Sequence, residues 1–91
     1  MIEITFDPSF KKSFNRRIAT NTKLSNKFKE KVNLFSQENY NPILHDHQLC
    51  GKMKHYRSFS ITGDCRVIYR VIDDNTVAFV DIGSHNQVYN Q

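Results

Sequence analysis

Three stretches with strand character, roughly residues 54–62, 65–72 and 76–82, are separated only by Gly63-Asp64 and by Asp73-Asp74-Asn75. Connections this short return a strand antiparallel to its predecessor, because Gly, Asp and Asn supply the backbone conformations that tight turns need. A three-stranded meander is therefore expected, and the rest of the chain must cover one of its faces. On the middle strand Cys65, Val67, Tyr69 and Val71 share one face, and Arg66, Ile68, Arg70 and Ile72 share the other. On the last strand Val77, Phe79 and Asp81 oppose Ala78, Val80 and Ile82. This predicts an inner layer of Val67, Tyr69, Val71, Val77 and Phe79, with Asp81 near the strand's end where an acid can escape to solvent.

The N-terminal half supplies the cover. Ile2, Ile4 and Phe6 alternate with Glu3 and Thr5, as in a strand with one buried face. Asp7-Pro8 ends it: Asp7 can cap a helix through its carboxylate, and Pro8 suits the first helical position. Phe10, Phe14 and Ile18 then recur at spacings of four. Thr20-Asn21-Thr22 breaks that helix and offers caps for a second, whose apolar stripe is Leu24, Phe28, Val32 and Phe35, with Lys23, Lys27, Lys29 and Lys31 between. The order β-α-α-β-β-β predicts an α+β fold: a two-helix hairpin packed on one face of a four-stranded, mainly antiparallel sheet. At 91 residues, one domain spanning residues 1–91 is expected.

Charge and cysteine usage narrow the function. Thirteen Lys and Arg against nine Asp and Glu give a net charge of +4, which favours a polyanionic partner without demanding one. Cys50 and Cys65 lack C-x-x-C or paired Cys/His spacing, so neither a disulfide framework nor a zinc site is indicated. Apolar runs are short, and Met1-Ile2-Glu3 lacks the positive flank of a leader. A cytoplasmic protein without membrane contact is the expectation.

Two polar stretches stand out. His45-Asp46-His47 reads on its own as a solvated turn, and two histidines at i and i+2 have no further ligand placed to complete a metal site. The tail DIGSHNQVYNQ reads as a strand exit followed by polar residues, yet a helical turn over 86–89 would set His85 and Tyr89 on one face. Arg66 and Arg70 read either as partners of acidic neighbours or as phosphate contacts. Lys52, Lys54 and Arg57 read either as solubilising charge at a sheet edge or as phosphate contacts.

The run YRSFSITGDCRVIYRVIDDNTVAFVDIGSHNQVY, preceded by DHQLCGKMKHYRS, resembles bacterial toxins of the RelE/ParE superfamily, nearest the RelE/StbE and YafQ-like branch. The likeness covers nearly the whole chain. It implies the toxin of a type II toxin–antitoxin system: a ribosome-dependent mRNA endoribonuclease, or mRNA interferase, that works without a metal or other cofactor. The implied partners are a cognate antitoxin and mRNA in the ribosomal A site, with contacts to 16S rRNA. In such cleavage the 2′-hydroxyl attacks the adjacent phosphate, so one group accepts a proton, another returns one to the leaving 5′-oxygen, and a cation steadies the phosphorane. Histidine as a residue type suits the first two roles and arginine the third.

Carried over residue by residue, His47, Asp64 and His85 match the loop histidine, aspartate and C-terminal histidine of YafQ-like members, while Arg66 and Tyr89 match a strand arginine and a near-terminal tyrosine of RelE-like ones. These five form the implied catalytic set. Lys52, Lys54, Arg57 and Arg70 form the implied RNA-binding set. The chain departs from the pattern at Ser60, where YafQ-like toxins carry a second histidine, and at Asp81, where they carry an arginine. Those departures keep two alternatives open: a ParE-like poison of DNA gyrase, or a degenerate relic that only binds its antitoxin.

Overall fold

The computed structural model of the protein describes residues 1–89. Its elements are β1 (Glu3–Phe6), α1 (Pro8–Arg17), α2 (Thr22–Gln37), β2 (His47–Gln48), β3 (Arg57–Ser60), β4 (Cys65–Asp73), β5 (Thr76–Ser84) and α3 (His85–Tyr89), with single 3-10 turns at Pro42–Leu44 and Gly51–Met53. Pro8 opens α1 as expected. Asp7 holds the cap position, but its carboxylate makes no capping bond and lies instead 3.5 Å from the Arg70 guanidinium. In α2 the cap is Asn21, whose side chain accepts the Leu24 N–H at 3.0 Å.

The sheet has five strands in the order β1-β5-β4-β3-β2, one more than expected. The addition is β2, in which His47 and Gln48 pair antiparallel with Ser58 and Arg57. Two residues flanked by turns carry too little periodicity to be read as a strand. β1 joins parallel to β5, and the remaining pairings are antiparallel. The strand expected over 54–62 is shorter, because the turn ending at Met53 receives the Tyr56 N–H and pairing begins only at Arg57.

Both helices pack on one face. Phe10 of α1 and Phe35 of α2 each contact the Phe79 ring, at 5.5 and 5.8 Å between centroids, and Phe35 also stacks on Phe59 at 4.4 Å. The buried layer beneath them holds Phe59, Val67, Tyr69, Val77, Phe79 and Ile82. Val71 does not belong to it. Pairing of β4 with β3 ends at Tyr69 opposite Arg57, so Val71 lies at the sheet's rim, 56% exposed.

Asp81 is also placed differently from expectation. Ile68 pairs with Asp81 while Tyr69 pairs with Phe79, so Val80 is an extra residue on β5. Such a bulge reverses the facing of everything beyond it. Ile82 enters the core and Asp81 turns to the Ile68 side, where it meets Arg17 at 3.2 Å with both side chains 16% exposed. Past the end of β1, α1 covers the edge of β5: Ser9 Oγ donates to the Val80 carbonyl at 2.8 Å and Arg17 Nη1 to the Ile82 carbonyl at 3.0 Å. The opposite face of the sheet, with Ser58, Ile68 and Ala78 buried, receives Val88 of α3 and carries the candidate site.

Candidate active site

Helix α3 follows β5 without a loop because Ser84-His85-Asn86-Gln87 closes a capping box. The Ser84 N–H donates to Gln87 Oε1 at 2.8 Å, and the Gln87 N–H donates to Ser84 Oγ at 3.3 Å. His85 is thereby set on the first turn, with Tyr89 four residues on. Their rings meet edge to face at 4.5 Å. The Tyr89 hydroxyl donates to Ser58 Oγ at 2.8 Å, tying α3 to the fully buried centre of β3.

A cleft of about 510 Å³ opens beside this helix, lined by His47, Leu49, Cys50, Lys52, Met53, Arg66, His85 and Tyr89. His47 reaches it from β2, Arg66 from β4, and His85 and Tyr89 from α3, so residues 42 positions apart in sequence at the extremes converge. The His47 Nδ1 lies 2.9 Å from the His45 carbonyl oxygen. A carbonyl only accepts, so Nδ1 carries the proton of this bond, and in the neutral ring the lone pair is on Nε2.

Arg66 Nη1 donates to Ser60 Oγ at 2.9 Å, and its shielded Nε has no hydrogen-bond partner among the described residues. A guanidinium with donors left over suits an anion in the cleft. Ser60 is buried beneath Arg66, and Asp81 is held by Arg17; neither lines the cleft. The two departures from the YafQ-like pattern thus leave no carboxylate among the cleft's lining.

Four expected residues are not brought to the cleft. Asp64 is exposed in the turn before β4 and lines a separate hollow with Arg17, Leu24 and Gln87. Hairpin geometry accounts for its position. Arg57 projects towards the helix-covered face, where its Nε and Nη2 donate to Asp46 Oδ1 at 2.8 and 2.6 Å. Burial works to lower the Arg57 pKa, but the bond to Asp46 and its charge turn the balance upward. Arg70 faces Asp7, and Lys54 is exposed. Lys52 alone of the expected RNA-binding set lines the cleft.

Lys52, Met53 and Tyr89 also line a second groove of about 540 Å³, whose far wall is α1 with Lys12, Arg16 and Arg17. Sequence reasoning missed these cations, although Lys12 and Arg16 stand four apart, beside the Phe10/Phe14 stripe. Among the described residues no group of three or more His, Cys, Asp or Glu side chains is placed to hold a metal ion. No described helix is long and apolar enough to cross a membrane.

The sequence profile of the family described as "Bacterial toxin of type II toxin-antitoxin system, YafQ" matches residues 2–90. The chain belongs to the YafQ toxin family. The fold is similar to that of YafQ from E. coli strain BL21(DE3), with a TM-score of 0.80 at 22% identity over 98% of this chain and 99% of that one. It is similar to the E. coli DinJ–YafQ toxin–antitoxin complex, with a TM-score of 0.78 at 23% identity over 97% of each chain. The YoeB–YefM complex from Staphylococcus aureus gives 0.73 at 23% identity over 93% and 98%. No curated protein matches the sequence. As a YafQ-family member the protein is a toxin of the type II toxin–antitoxin class, with a RelE-like α+β fold.

Proposed function

We propose that this YafQ-family toxin is an endoribonuclease that cuts mRNA in the ribosomal A site by acid–base catalysis. The observation that carries the reading is the convergence of His47, Arg66, His85 and Tyr89 on one cleft. His47 Nε2 accepts the proton of the 2′-hydroxyl as its oxygen attacks the adjacent phosphorus. Arg66 binds the phosphoryl oxygens as charge grows on the phosphorane. Protonated His85 donates to the 5′-oxygen as the P–O bond breaks, leaving a 2′,3′-cyclic phosphate and a 5′-hydroxyl. Tyr89 holds the His85 ring at its edge and offers a face to a base.

Lys52 extends the cleft's positive charge to the groove along α1, so flanking phosphates have cations on both sides of Tyr89. Contacts of that groove with 16S rRNA would use the same chemistry. Asp64, outside the cleft, is given no step. A cognate antitoxin with an acidic segment that folds on binding is the partner that best complements such a surface.

The test is primer extension on cellular messages after induced expression. Wild type is expected to produce discrete cuts, and His85→Ala to reduce them by about 10²–10⁴-fold, the usual worth of a positioned acid. Ser60→Ala serves as the comparison at matched protein levels. Undiminished cleavage by His85→Ala would remove it from the mechanism. Growth arrest with intact messages and an SOS response would turn the reading towards gyrase.

A further inference from the structure

The Asp46 carboxylate is nearly inaccessible, with 1% of its side chain exposed, and it lies outside the cleft. Its Oδ1 takes the Arg57 Nε and Nη2, and its Oδ2 accepts the Tyr69 hydroxyl. The Arg57 guanidinium lies over the Tyr40 ring at 5.5 Å, so the ion pair is covered from outside as well. Tyr69 is part of the hydrophobic core and 1% exposed. Burial first, and then its bond to Asp46, push the Tyr69 phenol well above its usual pKa, which keeps the proton on the hydroxyl and the bond in place.

Stability alone does not call for a buried carboxylate at the edge of this core, since apolar residues of similar volume are often as good there. What the cluster does fix is the chain on either side of it. His45 adopts a left-handed conformation, φ 50° and ψ 39°, and closes the turn over Pro42–Leu44 with its N–H on the Pro42 carbonyl at 3.2 Å. The His45 carbonyl is in turn the acceptor for His47 Nδ1. Residue 46 thus anchors a two-sided clamp: behind it lies the left-handed cap residue whose carbonyl sets the tautomer, and ahead of it the histidine that lines the cleft.

We propose that Asp46 is the positioning residue of the site, holding the His45 carbonyl where it fixes the His47 ring in the Nδ1–H tautomer with Nε2 directed at the substrate. The proposal deepens the reading of His47 as base and rests on it for its catalytic meaning. Asp46 touches no substrate. It acts through two backbone neighbours, and Arg57 and Tyr69 supply the rigidity.

The experiment is long-range proton–nitrogen NMR of the histidine rings in the full chain, joined to cleavage kinetics on programmed ribosomes. Wild type should show His47 as a single Nδ1–H tautomer when neutral. Asp46→Asn should yield a mixture with the Nε2–H form, and lower the single-turnover cleavage rate by about 10²-fold with little change in half-saturating ribosome concentration, the signature of lost orientation. Tyr69→Phe, which keeps the core ring, should move both readouts in the same direction by less, and it decides the matter should Asp46→Asn fail to fold. A folded Asp46→Asn whose His47 remains wholly Nδ1–H would overturn the clamp. A changed tautomer with unaltered cleavage would uphold the clamp and instead remove His47 as the base.

Discussion

Cys50 and Cys65 illustrate how little a residue type says until its surroundings are known. Cys50 is exposed and lines the cleft, whereas Cys65 is buried at the start of β4. Burial foremost, then the charge of Asp64, pushes the Cys65 thiol from 9.0 up to about 11. The folded thiol holds its proton at pH values where the unfolded one has lost it. Stability is therefore fully present below about pH 9 and declines as pH rises towards 11. The loss from this group should be about 3 kcal/mol at most. Denaturant unfolding at rising pH should show a flatter decline for Cys65→Ala than for wild type, after each is normalised to its value at neutral pH. At this scale the sequence was readable where local spacing sets the placement, as with His85 beside Tyr89, and misleading where a distant partner decides. Arg57 read as an RNA contact because nothing in the string announces that Asp46, eleven residues earlier, would take both its nitrogens. Asp64 read as catalytic by family position, yet its turn keeps it on another side of the sheet's end.

Helix α3 is short enough that its existence depends on its ends. With five residues it cannot stand alone in water, and it is held by the Ser84–Gln87 capping box, by Val88 buried against the far face of the sheet and by Tyr89 on Ser58. Ser84→Ala removes one half of the box and should cost about 1 kcal/mol, spent locally on α3. Hydrogen exchange at the amides of 87–89 should accelerate while that of β4 stays unchanged, and cleavage should fall because His85 is no longer held. Gly83 belongs to the same device: a Cβ there would come within 2.7 Å of Gln87 Oε1 and 2.9 Å of Arg17 Nη1. The Ser-x-x-Gln spacing of this box is a signature that sequence reasoning passed over, whereas the two-residue β2 and the Val80 bulge carry none. A bulge leaves no mark in an alternating pattern, so everything after it was assigned to the wrong face, Asp81 and Ile82 included.

Across the whole molecule the apolar periodicity was a sound guide, because both helices and three strands are long enough for burial to dominate each residue's own preference. The hairpin on one face follows from it, whereas the partner of β1 and its parallel sense do not. Where the pattern ran out, at the sheet's rim, Val71 was misplaced for want of any sign that β3 stops short. The centre of the core is Phe35, with no exposed surface and ring contacts to Phe59, Tyr69 and Phe79. Phe28 is only partly buried, against Phe10 and Phe14. Phe35→Ala should cost about 3–5 kcal/mol, and Phe28→Ala distinctly less, measured by urea denaturation. The parallel pairing of β1 with β5 has a further consequence. Thr5 and Val77 meet although they stand 72 positions apart, so β1 is synthesised long before the strand it needs. Until β5 leaves the ribosome, the helical hairpin has no sheet beneath it and the histidines have no cleft to share. The cleft thus comes together only once β5 and α3 have been made, after every other element of the fold.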